Sequence, residues 1–257
     1  LIVFDHGLGV GHRAYMREIE MLCRKGYMVY SYDHTGTGES EGESVQGLSG
    51  SLSDLDDCLR TLKRLSNLSG MEISVMGHSW GGFSSLNILG YHHDIHSVVA
   101  MSAFVSVSVM HSQIVPFIVF PFRKRLMEIE RRTNRYHADS SAIDVINKSN
   151  KPILLIHSLD DSTVSAKKNI LRLRKTTCER TNVEFIVQNG KGHSVNYTID
   201  AADYKRAFFK TMNKLKKQGL LETEEQKAEF VSSYDWYKMT EQDEAVWQEI
   251  FAHLDDK

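Results

Sequence analysis

A serine stands in Gly77-His78-Ser79-Trp80-Gly81, with Gly82 following. The apolar run Met71 to Met76 precedes it, and Phe83 to Leu89 has helical character. A strand that turns at once into a helix crowds the turn, so the flanking positions need glycine. The serine Oγ is then held out above the sheet near a helix N-terminus. The chemistry on offer is that of an alcohol nucleophile, which needs a base and a carboxylate to orient the base. Both follow in chain order. The run Lys151 to His157 ends in Ser158-Leu159-Asp160-Asp161-Ser162, which places two carboxylates at a strand's C-terminal end, where sites gather in open α/β sheets. One of the two is the expected acid. The run Val183 to Val187 leads into Gln188-Asn189-Gly190-Lys191-Gly192-His193-Ser194, whose histidine is the expected base.

An attack on a carbonyl also needs donors for the developing oxyanion, normally two backbone N–H groups. The loop Phe4-Asp5-His6-Gly7-Leu8-Gly9-Val10-Gly11-His12 follows the first apolar run, and the N–H of Leu8 is expected to pair with that of Trp80. Of the 12 histidines, His92, His93, His96, His111, His137 and His253 have no strand-end placement and read as structural. His157 ends a strand but precedes the acid, so it is expected to pack beneath it. No HExxH or paired metal spacing occurs.

The elements that must position these residues are short β-branched runs alternating with longer amphipathic stretches, the pattern of a mostly parallel sheet covered by helices. The runs are 1–4, 27–32, 71–76, 96–104, 153–157 and 183–187. Most are continuously apolar, as strands buried on both faces are. Residues 53–65, 166–173 and 201–215 carry helical periodicity. Residues 97–122 hold no Asp, Glu, Lys or Arg, but several serines and two prolines interrupt the run. It therefore reads as a strand followed by an apolar lid rather than a membrane helix. Near the end, Thr240-x-x-Asp243 resembles a capping box ahead of Val246, Trp247, Ile250, Phe251 and Leu254. That stripe is expected to pack on the body of the molecule.

The composition agrees. Thirty-one Lys+Arg against 33 Asp+Glu give a net charge of -2 over 257 residues, so there is no basic field for nucleic acid. Three cysteines, Cys23, Cys58 and Cys178, suggest neither a disulfide framework nor a zinc site. A reducing, cytoplasmic setting is expected. Leu1 opens the chain inside an apolar run, and the expectation is that further sequence precedes it.

Taken together, HGLGVGHRAY at 6–15, YDHTGTGESEG at 32–42, GHSWGG at 77–82, PILLIHSLDDSTV at 152–164 and GKGH at 190–193 resemble the α/β-hydrolases of the serine aminopeptidase S33 and monoacylglycerol lipase/lysophospholipase type. The resemblance runs from Leu1 to about Leu215. It implies an α/β-hydrolase fold with a helical cap inserted after the sixth strand of that fold, which is the fourth apolar run here. It also implies Ser79 as nucleophile, Asp161 as acid, His193 as base, and Leu8 and Trp80 as oxyanion donors. Thr35 stands where the family carries an arginine, so bracing of that loop by the arginine is expected to be lost.

The expected division is a hydrolase core at 1–104 and 151–217, a cap at 105–150 and an acidic helical extension at 218–257. The expected activity is cleavage of carboxylic esters through an acyl-enzyme, with peptidase or thioesterase activity on the same triad, or ligand binding without catalysis, as alternatives. The substrate is a small acyl ester and no cofactor is implied; lipid contact is at most transient. Substrate choice is expected from the cap. Its apolar half runs from Val105 to Phe120 and includes Phe117, Ile118 and Val119. Its basic half, Arg123, Lys124, Arg125, Arg131, Arg132 and Arg135, would favour an anionic head group if it faced the site.

Overall fold

A computed structural model describes residues 1–115 and 120–255. Six parallel strands among the described residues form one sheet in the order β2-β1-β3-β4-β5-β6. They are β1 (Ile2–Asp5), β2 (Val29–Ser31), β3 (Ser74–His78), β4 (Val98–Met101), β5 (Ile153–Ser158) and β6 (Val183–Gln188). Each expected run yields a strand. The central strands β1, β3, β4 and β5 are buried along their whole length, which is why their sequences are continuously apolar instead of alternating.

The helices are α1 (Met16–Lys25), α2 (Gly50–Leu62), α3 (Trp80–Asn87), α4 (Val107–Ile114), α5 (Phe120–Asn134), α6 (Ala142–Lys148), α7 (Ile170–Thr176), α8 (Ile199–Lys217), α9 (Glu224–Ser232), α10 (Trp236–Met239) and α11 (Glu244–Asp255). One core gathers Leu52, Leu55 and Leu59 of α2, Phe83 and Leu86 of α3, Ile146 of α6 and Leu173 of α7 with Val75, Val98 and Leu155 of the sheet. A second core holds Ile2, Phe4, Met76, Val99, Leu154 and Ile156 of the sheet with Leu22 of α1 and Val246, Trp247, Ile250 and Leu254 of α11. The alternation of strand residues between the two cores is the period of two that a sheet covered on both sides requires. The C-terminal stripe does pack on the body, and each fully buried apolar side chain there is worth about 1.5–3 kcal/mol.

With α11 occupying that part of the second core, α8 sends Phe208 elsewhere, into an aromatic cluster with Phe230, Tyr234 and Trp236. The cap of α11 differs from expectation. Asp243 accepts from the amides of Ala245 and Val246, whereas Thr240 ends α10. A complete capping box does occur at the start of α9, between Thr223 and Gln226.

Residues 105–150 form α4, α5, a 3-10 turn (Arg135–Asp139) and α6. The expected lid residues Phe117, Ile118 and Val119 lie outside the described residues. Glu130 of α5 anchors this insert. Its buried carboxylate accepts from the amides of Leu48 and Ser49 and from the Ser49 hydroxyl. Among the described residues no helix is long and apolar enough to cross a membrane.

Candidate active site

Ser79 joins β3 to α3 with φ 58° and ψ −110°. A non-glycine residue there stores strain of order 1–3 kcal/mol, held in place by its surroundings. Those surroundings are tight. A Cβ on Gly77 would fall 2.2 Å from the Gly81 carbonyl oxygen, and one on Gly81 would fall 2.1 Å from that of Asp5. The Ser79 amide donates to the Met101 carbonyl at 2.8 Å, fixing the turn to the end of β4.

His193 follows β6, and its Nδ1 lies 2.7 Å from Asp161 Oδ2, just beyond β5. The other oxygen of Asp161 accepts from the amides of Thr163 and Val164 at 2.8 and 2.9 Å. Burial works against the charge on Asp161, but the His193 contact and these amides outweigh it and hold the carboxyl below its ordinary range. His157 packs beneath, donating from Nε2 to the Val164 carbonyl at 2.9 Å and lying 3.5 Å from Asp161 Oδ2. Of the two candidate carboxylates, therefore, Asp161 meets the histidine. Asp160 does other work: its Oδ1 accepts from the amides of Gly190 and Gly192 at 2.9 and 3.2 Å, tying the two loops together.

Ser79 and His193 line the same cleft, of about 900 Å³, and no hydrogen bond joins their side chains. The amides of Leu8 and Trp80 also engage no acceptor among the described residues, and Leu8 lines the cleft beside Gly7.

One residue that the motif contains but the sequence reading left without a role proves central. The Gly7 amide donates to the Tyr15 hydroxyl at 3.1 Å, so that hydroxyl spends its own proton on His78 Nδ1 at 2.8 Å. His78 Nε2–H then donates to the His193 carbonyl at 2.7 Å. Burial, with His193 nearby, pulls the His78 pKa down to about 3, so the ring is neutral as this arrangement requires. A single imidazole thus ties the Gly7 loop, the Ser79 turn and the His193 loop. The Ser102 hydroxyl, from a residue at φ 49°, supports the same carbonyl at 3.3 Å. The available signal was a histidine inside a motif whose other members are fixed by geometry.

The Gly7 loop is braced from behind. Asp33 accepts from the His12 amide and ring at 2.7 and 2.9 Å and from the Glu39 amide at 3.0 Å. These bonds, against the opposing effect of burial, hold its carboxyl down to about 2. Thr35 does not leave its loop unbraced. Its amide and hydroxyl both donate to Asp54 at 2.9 Å, a role a shorter side chain fills in place of the family's arginine. Below, His34 sits 2.5 Å from Asp5 and 3.2 Å from Asp54. Burial opposes its charge, yet the two carboxylates outweigh that and raise it to about 9.

Among the described residues, none of the cap lines this cleft. The described lining comes from the Gly7 loop, the first turns of α1, the Asp160 and His193 loops and α8, with no residue between 105 and 150. Three of the cap's basic residues are engaged locally: Arg123 donates to the Val115 and Ser112 carbonyls, Arg125 pairs with Glu128 and Arg131 with Asp139. Among the described residues, it is α8 and not this insert that walls the cleft.

Residues 1–137 match the family model described as serine aminopeptidase, S33. The chain belongs to this family of hydrolases. Among curated sequences it is similar to the uncharacterized protein YfhR of Escherichia coli K12, at 24% identity over 165 residues covering 63% of this chain and 53% of that one. The chain therefore spans about half the length of that relative. Among solved structures, an esterase of Pyrococcus furiosus aligns with a TM-score of 0.60 at 20% identity, covering 84% of this hydrolase and 82% of the esterase. A monoacylglycerol lipase of Paleococcus ferrophilus aligns with a TM-score of 0.54 at 19% identity, covering 75% and 85%. At these identities the likeness speaks for the α/β-hydrolase fold.

Proposed function

We propose that this hydrolase cleaves carboxylic esters with Ser79 as nucleophile, His193 as general base and Asp161 as the carboxylate that orients it. The observation that carries the reading is the 2.7 Å pairing of Asp161 with His193 Nδ1. It leaves Nε2 to face the cleft in which the strained Ser79 stands. His193 Nε2 takes the Ser79 proton as Oγ attacks the ester carbonyl, and the oxyanion is held by the amides of Leu8 and Trp80. Collapse expels the alcohol, which leaves with the proton from His193. Water activated by the same nitrogen then cleaves the acyl-enzyme. Residues 1–104 and 151–217 make up the catalytic body in this reading, with 105–150 as the cap and 218–257 as the extension that walls the second core.

An ester substrate is favoured over a peptide with a free amine because, of the cleft's non-triad carboxylates, Asp160 is committed to loop amides and Glu18 is buried, which disfavours its charged form. Glu18 accepts from Asn196 at 2.9 Å, and Asp160 holds the Gly190 and Gly192 amides. The test is hydrolysis of p-nitrophenyl esters from acetate to laurate by the wild type beside Ser79→Ala, with aminoacyl amides and acyl thioesters assayed in parallel. Ester turnover that disappears in the variant supports the reading. Faster turnover of amides or thioesters, or turnover that survives in the variant, refutes it.

A further inference from the structure

Among the described residues, most charged groups of the cleft wall are engaged. Lys191 pairs with Asp243 at 2.5 Å. Arg206 engages Asp203 and the Gly190 carbonyl, and Asp160 is committed as described. Glu18 accepts from Asn196 through Oε1, its Oε2 is buried without a hydrogen-bond partner, and burial disfavours its charged form. Lys205 has no ion-pair or hydrogen-bond partner among the described residues. Its ammonium lies 4.7 Å from the centroid of the Tyr197 ring, which covers one side of it. The carboxylate that offsets its burial is that of Glu18, which is not in ion-pair contact and is itself only 1% exposed.

The position of this lysine is ordered by the helix that carries it. Ala202, Lys205, Arg206, Phe209 and Asn213 recur at helical spacing, and all line the cleft that holds Ser79 and His193. Val10 and Ala14 supply apolar surface to the same cleft. A half-buried ammonium with free donors beside apolar surface suits a ligand with a short aliphatic body ending in an anion. An anion there would accept charge-assisted hydrogen bonds that the lysine makes with no described group of the chain.

We propose that Lys205 is the anion subsite of this hydrolase, and that its preferred substrates are esters carrying a carboxylate on the acyl chain, such as half-esters of dicarboxylic acids. The proposal rests on the esterase reading of Ser79 for its chemistry, but the subsite is testable without turnover. The first arm compares kcat/KM for the mono-p-nitrophenyl esters of adipic and suberic acids with that for p-nitrophenyl hexanoate and octanoate. The wild type is expected to favour the charged member of each pair. Lys205→Met is expected to lower that preference about tenfold, and Lys205→Arg to keep part of it. The second arm measures, by calorimetry in a Ser79→Ala background, binding of the monomethyl adipate anion against dimethyl adipate, with and without Lys205→Met.

Lys205→Gln and a thermal unfolding midpoint for each variant separate loss of the subsite from loss of the fold. A charged-over-neutral preference that Lys205→Met and Lys205→Gln leave intact in folded protein overturns the proposal, as does equal binding of the two adipates by the Ser79→Ala protein. If no ester is turned over but the anion binds in a Lys205-dependent way, the subsite stands and the esterase reading fails.

Discussion

Two regions flank Ser79, and they are built on opposite principles. The insert 105–150 carries a dense run of basic residues, and half of that run closes on the insert itself: Arg123 on the end of α4, Arg125 on Glu128, Arg131 on Asp139. The α8 wall is less conspicuous in sequence, but it leaves one ammonium unpaired inside the cleft. The difference teaches that the density of a charge type along a chain says little about where charge is available. A helix rich in both signs satisfies itself at i,i+3 and i,i+4 for a few tenths of a kcal/mol per pair, whereas a charge that makes no pair stays available for a ligand. In the second core it is α11 of the C-terminal extension, through Val246, Trp247, Ile250 and Leu254, and not α8 that packs on the sheet.

The largest effect separates the two carboxylates beside this wall. Asp161→Asn is expected to lower kcat for ester hydrolysis by about 10⁴-fold, because His193 is then held in the wrong tautomer. Asp160→Asn is expected to cost no more than about tenfold, since it loses only loop-tying hydrogen bonds. Equal losses would mean that the acid has been assigned wrongly.

Next comes the second core. Trp247→Ala is expected to destabilise the protein by about 3–5 kcal/mol in chemical denaturation, as large aromatic truncations in a closed core do. A cost below about 1 kcal/mol would show that α11 is not part of that core.

A third test addresses what lies beneath both regions. His34 has a folded pKa raised to about 9 against an ordinary value near 6.5. Its contribution to stability is therefore fully present below about pH 6.5 and is lost as the pH rises through about 9. Urea midpoints taken from pH 6.5 to 10 should fall over that window for the wild type and fall less for Asp54→Asn. Parallel curves would remove the charged His34 from the account. Smallest of all, Arg131→Ala in the insert is expected to change kcat/KM for any ester by less than about twofold, as for an exposed ion pair. A tenfold change would return substrate selection to the cap.

Much of this was legible from the chain. The continuous apolar runs gave the strands, because burial on both faces removes alternation. The Gly77–Gly82 turn was legible because steric room at Gly77 and Gly81 is a local requirement. What was not legible depends on direction in space. The strand end alone offered both Asp160 and Asp161, and only the family resemblance singled out Asp161; the two differ in which loop each carboxylate faces. The wall of α8 looked like an ordinary amphipathic helix until α11 was seen to hold the sheet face. The bond from His78 to the His193 carbonyl spans 115 positions in sequence and leaves no periodic trace.

The most direct test of the central claim is labelling with a fluorophosphonate probe, read by peptide mass spectrometry on the wild type, Ser79→Ala and His193→Ala. The account predicts a single adduct on Ser79 in the wild type, none in Ser79→Ala, and labelling slowed by at least about 100-fold in His193→Ala. A folded wild type that stays unlabelled, or an adduct on another residue, would contradict it.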